Sequence, residues 1–237
     1  MYDVLGDTVL IPKNYYEDLS ECGRLALLKG LLERGYKKIF TRGRFSNSFR
    51  TLSLDWVSPY QEPPFSTKFL TRENNYLFYG DLREAYYSPR YHKQRSEVVS
   101  LLRDHSGEAL TLIGSGISPY TVYLNRYFRI LEIEPNDRAY RYGRINLTMN
   151  GCTSEGRKTR YEGDPSQVVL SMVPRVDPSL HKTYNFRRTC VFYVLMEDSR
   201  VPLYSEQLKV FYSSSVTSRL VRKYTKSLNI YRFVLER

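Results

Sequence analysis

The stretch Ala109-Leu110-Thr111-Leu112-Ile113-Gly114-Ser115-Gly116-Ile117-Ser118 decides the fold. Five apolar or β-branched residues read as a buried strand, and the small residues after them read as a tight turn. A helix is expected next, then a second strand over Arg129–Ile133 that ends at Glu134. A further helix runs toward Asn146 and stops by Asn150-Gly151. Strand, helix, strand, helix is the rhythm of a parallel α/β sheet, whose ligand crevice lies at the carboxyl ends of the strands. Gly114 and Gly116 let the backbone approach a ligand closely, and Glu134 ends the next strand eighteen residues after Gly116. A carboxylate there can accept hydrogen bonds from both hydroxyls of a ribose. The third glycine of a dinucleotide fingerprint is missing, and Pro119 stands where the helix begins. That disfavours a pyrophosphate cradle and favours a nucleoside ligand without one, such as S-adenosylmethionine.

On the C-terminal side, strands are expected at Val168–Met172, Thr189–Leu195, Val216–Val221 and Ile230–Leu235, and a helix with Val98, Val99, Leu101 and Leu102 precedes the first strand. Residues before about 85 have a different rhythm. A strand at Thr8–Ile11 leads to a helix whose Leu25, Leu28, Leu31 and Leu32 share one face, closed by Gly35. Short strands follow at Lys38–Thr41, Ser53–Val57 and Tyr76–Tyr79, punctuated by Gly43, Pro59, Pro63, Pro64 and Gly80. The expectation is therefore a small α+β domain over 1–84 and a Rossmann-like α/β domain over 85–237.

Composition narrows the function. The 237 residues carry 36 Lys and Arg against 25 Asp and Glu, a net charge of +11, which favours a polyanionic partner because phosphates attract a basic field. The excess concentrates in 157–190 (seven basic, three acidic) and 205–237 (seven basic, two acidic). No apolar run approaches the roughly 20 residues of a spanning helix, and no basic-then-apolar leader opens the chain. The three scattered cysteines, Cys22, Cys152 and Cys190, supply neither a disulfide framework nor a four-thiolate metal site. The expectations are a monomeric protein of a reducing compartment, the cytoplasm first and the nucleus or mitochondrial matrix as alternatives, with no metal and no membrane. Among the 22 tyrosines, core packing is the commoner use and base stacking the rarer one.

Several segments together resemble a known family. They are Tyr2 through Asp7, Gly43 through Thr51, Arg72-Glu73-Asn74-Asn75, Tyr86-Tyr87-Ser88-Pro89-Arg90, Ser115 through Tyr120, Ile133-Glu134-Pro135-Asn136, Asn146 through Asn150, and Val221 through Tyr224. In this order and spacing they are similar to the transferases that modify purine 37 of tRNA. These are the tRNA (guanine-37-N1)-methyltransferases and the sister aminocarboxypropyl transferases of wybutosine synthesis. The resemblance implies a class I S-adenosylmethionine-dependent fold and a tRNA anticodon stem-loop as partner. It implies cofactor contacts at Ser88, Arg95, Gly116, Glu134, Pro135, Asp164 and Met172, with Arg50 and Arg90 at the reacting guanine. Guanine N1 bears a proton at neutral pH, so methyl transfer needs that proton removed and the carbonyl charge held.

The chain also departs from the family pattern. Leu112 stands where an acidic residue usually ends the first parallel strand, and Met172 or Ser171 where an Asn is usual. Gln94 takes the place of the glutamate proposed as general base, and an amide cannot accept that proton. Pro89-Arg90 and Pro119 favour the methyltransferase. Leu170-Ser171-Met172-Val173-Pro174 is closer to the aminocarboxypropyl branch, and a tRNA-binding homologue without catalysis is the third reading.

Overall fold

The computed structural model describes residues 2–45, 51–58, 66–157, 168–172, 189–212, 215–223 and 228–236. Arg50 and Asp164, and the Pro59, Pro63 and Pro64 cluster, lie outside the described residues.

The first layer is a four-stranded sheet in the order β1 (Asp3–Leu5), β2 (Thr8–Pro12), β3 (Lys38–Phe45), β4 (Leu52–Trp56). The short helix α1 (Lys13–Glu17) leads into α2 (Glu21–Glu33), the crossover that lets β2 and β3 pair in parallel. Ser20 starts α2 by accepting the Gly23 N–H at 3.2 Å. Leu28 and Leu31 bury against Val9, Ile11 and Ile39. Leu25 does not join them and is 40% exposed. Its register falls beside the buried stripe because the sheet needs only a narrow face of the helix.

A separate hairpin, β5 (Lys68–Glu73) and β6 (Tyr76–Asp81), turns through Asn74, whose φ of 52° lies in the left-handed region that Asn tolerates. β5 escapes a hydrophobic-pattern reading because its inward face is Phe69, Thr71 and Glu73, a carboxylate where an apolar residue is usual.

The second layer is a seven-stranded sheet in the order β12 (Ser215–Lys223), β13 (Asn229–Glu236), β11 (Thr189–Met196), β10 (Val168–Ser171), β7 (Ala109–Ile113), β8 (Arg129–Ile133), β9 (Glu155–Arg157). β9, β8, β7, β10 and β11 are parallel, and β13 runs antiparallel between β11 and β12. The chain leaves β7 toward β8 in one direction and returns to β10 on the other side. The switch point, where a Rossmann-like sheet opens its crevice, thus lies between β7 and β10. The expected α/β sheet is present, with the strand order of a class I methyltransferase.

One face is covered by α3 (His92–Leu101) and α4 (Pro119–Leu124), through Val98, Leu102, Tyr120 and Leu124 on Leu110, Leu112, Leu170 and Tyr193. The other takes α6 (Val201–Tyr212), whose Tyr204 and Leu208 pack on Val169, Phe192 and Val194. α6 is hard to see in the sequence because exposed Leu203 (62%) and Val210 (75%) blur its apolar stripe. Most strand ends also move by one or more residues: β10 stops at Ser171, β4 runs Leu52–Trp56, and β3 extends to Phe45.

The helix α5 (Asp137–Met149) packs Ala139, Tyr142 and Leu147 into the apolar cluster of the hairpin and adds hydrogen bonds to it. Asn146 accepts the Tyr79 N–H at 2.7 Å and donates to the carbonyls of Tyr79 and Ile117. One turn on, Asn150 accepts the Leu77 N–H and donates to the Leu77 carbonyl. Two asparagines four residues apart thus imitate a strand and satisfy the free edge of β6. The Asn-x-x-x-Asn spacing noted in the sequence is, in the structure, a seam between hairpin and helix.

Candidate functional site

The turn after β7 is built by backbone conformations that few side chains adopt. Gly114 and Gly116 have φ of 71° and 59°, and Ser118 takes φ 63° at the entrance of α4. Among the described residues, a Cβ at Gly116 would meet only the Tyr86 carbonyl, at 3.9 Å, so these residues leave space above the turn. From below, α5 presses on the turn through Gly143, where a Cβ would lie 2.3 Å from the Ser118 Oγ.

Glu134 follows β8 and is 7% exposed. Its Oε2 accepts the Gly116 N–H at 2.7 Å and its Oε1 accepts the Asn136 N–H at 2.8 Å. Burial pushes its carboxyl above the usual range, and the two backbone N–H groups only partly offset that. A carboxylate has about four acceptor sites, so this one retains capacity for two more donors. Asn136 caps α5 by accepting the N–H groups of Arg138 and Ala139, and its amide donates to the Glu84 carbonyl. Pro135 lies exposed between these two anchored residues.

Across the switch point, the hydroxyls of Ser115 and Ser171 are buried with no partner among the described residues. Leu112 is fully buried in the apolar cluster under α3 and α4, and Met172 packs in the same cluster. Met172 touches the turn through its backbone, its N–H reaching the Ile113 carbonyl at 3.4 Å.

The segment Tyr86–Ser88 runs beside the turn and enters α3. Here the structure places three sequence-chosen residues in settings that composition cannot reveal. Arg95 is 3% exposed and forms a two-pronged pair with Glu73, Nε to Oε1 at 2.8 Å and Nη2 to Oε2. Its Nη2 also donates to the Ser88 carbonyl at 2.9 Å, which fixes the position of Ser88. Tyr87 and Tyr123 add hydrogen bonds to Glu73 at 2.5 and 2.9 Å. Burial pushes Glu73 up, but Arg95 and the two phenols outweigh it, and the carboxyl sits below its ordinary value. Arg90, half exposed, binds Asp3 through Nε, and Arg42 holds the other oxygen of Asp3 at 3.4 Å. Arg90 thereby ties the start of the chain to the entrance of α3. Gln94 has its Oε1 buried without a partner among the described residues, and His92 is exposed. Glu73 and its two phenols are what residue-by-residue reading misses as a unit; the signal was an inward-facing charge on β5.

A cavity of about 220 Å³ opens beside this pair, lined by Arg72, Glu73, Asn74, Tyr87, Pro89 and His92 among others. Among the described residues no group of three His, Cys, Asp or Glu could hold a metal ion. No described helix is long and apolar enough to cross a membrane.

Comparison with known proteins adds the following. No family model matches the chain. Over 93 residues it is 32% identical to the tRNA (guanine(37)-N(1))/4-demethylwyosine(37)-methyltransferase Taw22 of Nanoarchaeum equitans, a stretch covering 38% of this chain and 30% of that relative. Its fold is similar to Trm5b of Pyrococcus abyssi, with a TM-score of 0.70 and 16% identity over 100% of this chain and 74% of that one. It is also similar to M. jannaschii TYW2 in complex with AdoMet, with a TM-score of 0.63 and 15% identity over the whole of both chains.

Proposed function

We propose that the chain is an S-adenosylmethionine-dependent transferase that modifies purine 37 of tRNA, and that the group it transfers is a methyl, to N1 of guanine. The observation that carries the reading is Glu134, held by two backbone N–H groups over the Gly114–Gly116 turn at the switch point, with acceptor capacity to spare. The likeness of the fold to Trm5b and TYW2, and the sequence similarity to Taw22, support the same class of chemistry.

The residues present fit the cofactor. Glu134 would hold the ribose hydroxyls, the open space above Gly116 would admit the nucleoside, and the unpartnered hydroxyls of Ser115 and Ser171 stand nearby. Pro135 would line the adenine side, and Ser88 and Met172 the mouth. When bound, the cofactor supplies an activated carbon on a sulfonium. Arg95, locked on Glu73, acts by holding Ser88 in place. In this reading Arg50 and Arg90 approach the target base from the 1–84 side, and the 85–237 domain carries the transfer.

Gln94 bears on which group moves. An amide can hold a base by hydrogen bonds but cannot take the N1 proton. That favours a second reading, aminocarboxypropyl transfer, in which no guanine N1 has to be deprotonated. Mass spectrometry of tRNA incubated with the protein and S-adenosylmethionine tests both. A single added methyl at position 37 is the expected product. An aminocarboxypropyl group with release of methylthioadenosine establishes the second reading, and unmodified tRNA rejects both.

A further inference from the structure

Away from the crevice, one register row across the large sheet ends in two like charges. Leu112, Leu170, Tyr193, Arg232 and Arg219 stand side by side on β7, β10, β11, β13 and β12. The first three are buried, Arg232 is half-buried, and Arg219 is exposed on the edge strand. Like charges directly opposed on antiparallel strands repel. Among the described residues, neither guanidinium has a carboxylate in an ion pair.

Behind this pair, the register sets Arg232 beside Tyr193, the first member of a polar chain. Burial pushes the Tyr193 phenol up, while the charge and hydrogen bond of Arg232, and the charge of Arg219, pull it down. The Tyr193 hydroxyl lies 3.2 Å from Nε2 of His105, and Nδ1 of His105 lies 3.1 Å from Glu108. An arginine can only donate, so Arg232 adds no acceptor to this chain. Glu108 is engaged by His105, and the remaining acid facing Tyr193 is the exposed Asp104. Two guanidiniums thus stand opposite each other on neighbouring strands, and among the described residues neither is in an ion pair with an acid.

We propose that Arg219 and Arg232 form a phosphate clamp for the sugar–phosphate backbone of the RNA substrate, outside the transfer crevice. Paired guanidinium forks match the oxygens of a phosphate, and a bridging anion turns the repulsion between them into attraction. The row lies two residues, roughly 7 Å, below the Gly114 turn and four strand spacings, roughly 19 Å, along the sheet. One RNA segment can span that separation while its target base occupies the crevice. This inference rests on the RNA reading given above and adds a second point of attachment to it.

The test uses a synthetic anticodon stem-loop RNA, inorganic phosphate and S-adenosylmethionine as separate probes, with Arg219→Gln and the Arg219→Gln/Arg232→Gln double variant. Arg219 is exposed, so its single variant keeps the fold even if Arg232 matters to the sheet. RNA affinity is expected to fall about 5- to 10-fold for the single variant, with the slope of log affinity against log salt reduced by about 0.7. S-adenosylmethionine affinity is expected to stay unchanged. Unchanged RNA affinity and salt slope overturn the clamp. Loss of phosphate binding with RNA binding intact overturns it in favour of a free-phosphate site. If the parent protein binds S-adenosylmethionine but no RNA, the clamp and the tRNA reading fall together. If it binds RNA through these arginines but no cofactor, the clamp stands and the transferase reading falls.

Discussion

Glu73 and Glu134 are each 7% exposed, yet their surroundings drive them in opposite directions. At the joint between hairpin and α3, four hydrogen bonds, two of them from the Arg95 guanidinium, fill the acceptor sites of Glu73. At the crevice, Glu134 has two backbone donors and, among the described residues, no cation beside it, and burial wins. The first carboxylate is finished as a structural element. The second is held in a costly state that further donors would relieve, as a ligand's hydroxyls would. Burial alone therefore says little about role; the count of donors around the charge separates the two regions.

The strongest way to break this comparison is Glu73→Gln. It leaves the Arg95 charge buried and uncompensated, and a loss of roughly 3–5 kcal/mol is expected in urea unfolding at neutral pH. Because the folded carboxyl lies below its ordinary value, the stability it contributes is present above the unfolded carboxylate range. It is lost as pH falls through the lower folded value. The parent protein should therefore lose stability on acidification, and Glu73→Gln should flatten that limb. An acid limb of unchanged steepness in the variant would place the linkage elsewhere.

Glu134→Ala should do the reverse: modest change in unfolding, large change in binding. One bidentate charge-assisted contact is worth about 1.5–3 kcal/mol, so S-adenosylmethionine affinity measured by calorimetry should drop roughly 10- to 100-fold. Equal affinity in variant and parent would move the nucleoside away from this carboxylate.

The smallest expected effect concerns the turn that Glu134 braces. Ser118 holds φ 63°, a conformation costly to a residue with a Cβ. Ser118→Gly should raise stability by about 0.5–1 kcal/mol and leave cofactor affinity near the parent's, read by thermal unfolding and calorimetry. A loss of affinity instead would show that the Ser118 hydroxyl, packed against Gly143, shapes the crevice.

Much of this was decided by local chemistry that a sequence displays. The apolar run Ala109–Ile113, the glycines after it and the acid after Arg129–Ile133 specify strand, turn and strand-end carboxylate within one short stretch, so the α/β sheet and Glu134 were legible before any coordinates. Helix α2 was legible for the same reason, through Leu28, Leu31 and Gly35. What needed the tertiary structure were relations between distant segments. The pairing of Arg95 with Glu73, 22 positions away, is set by the meeting of α3 and β5. Asn146 and Asn150 became a seam only when β6 was laid against α5, 67 and 73 positions away in sequence. Arg219 and Arg232 became neighbours only through the antiparallel register of β12 and β13. Periodicity reports how a segment meets a core, but hydrogen bonds and charge pairs depend on which segments meet, and that is set by the closure of the whole chain.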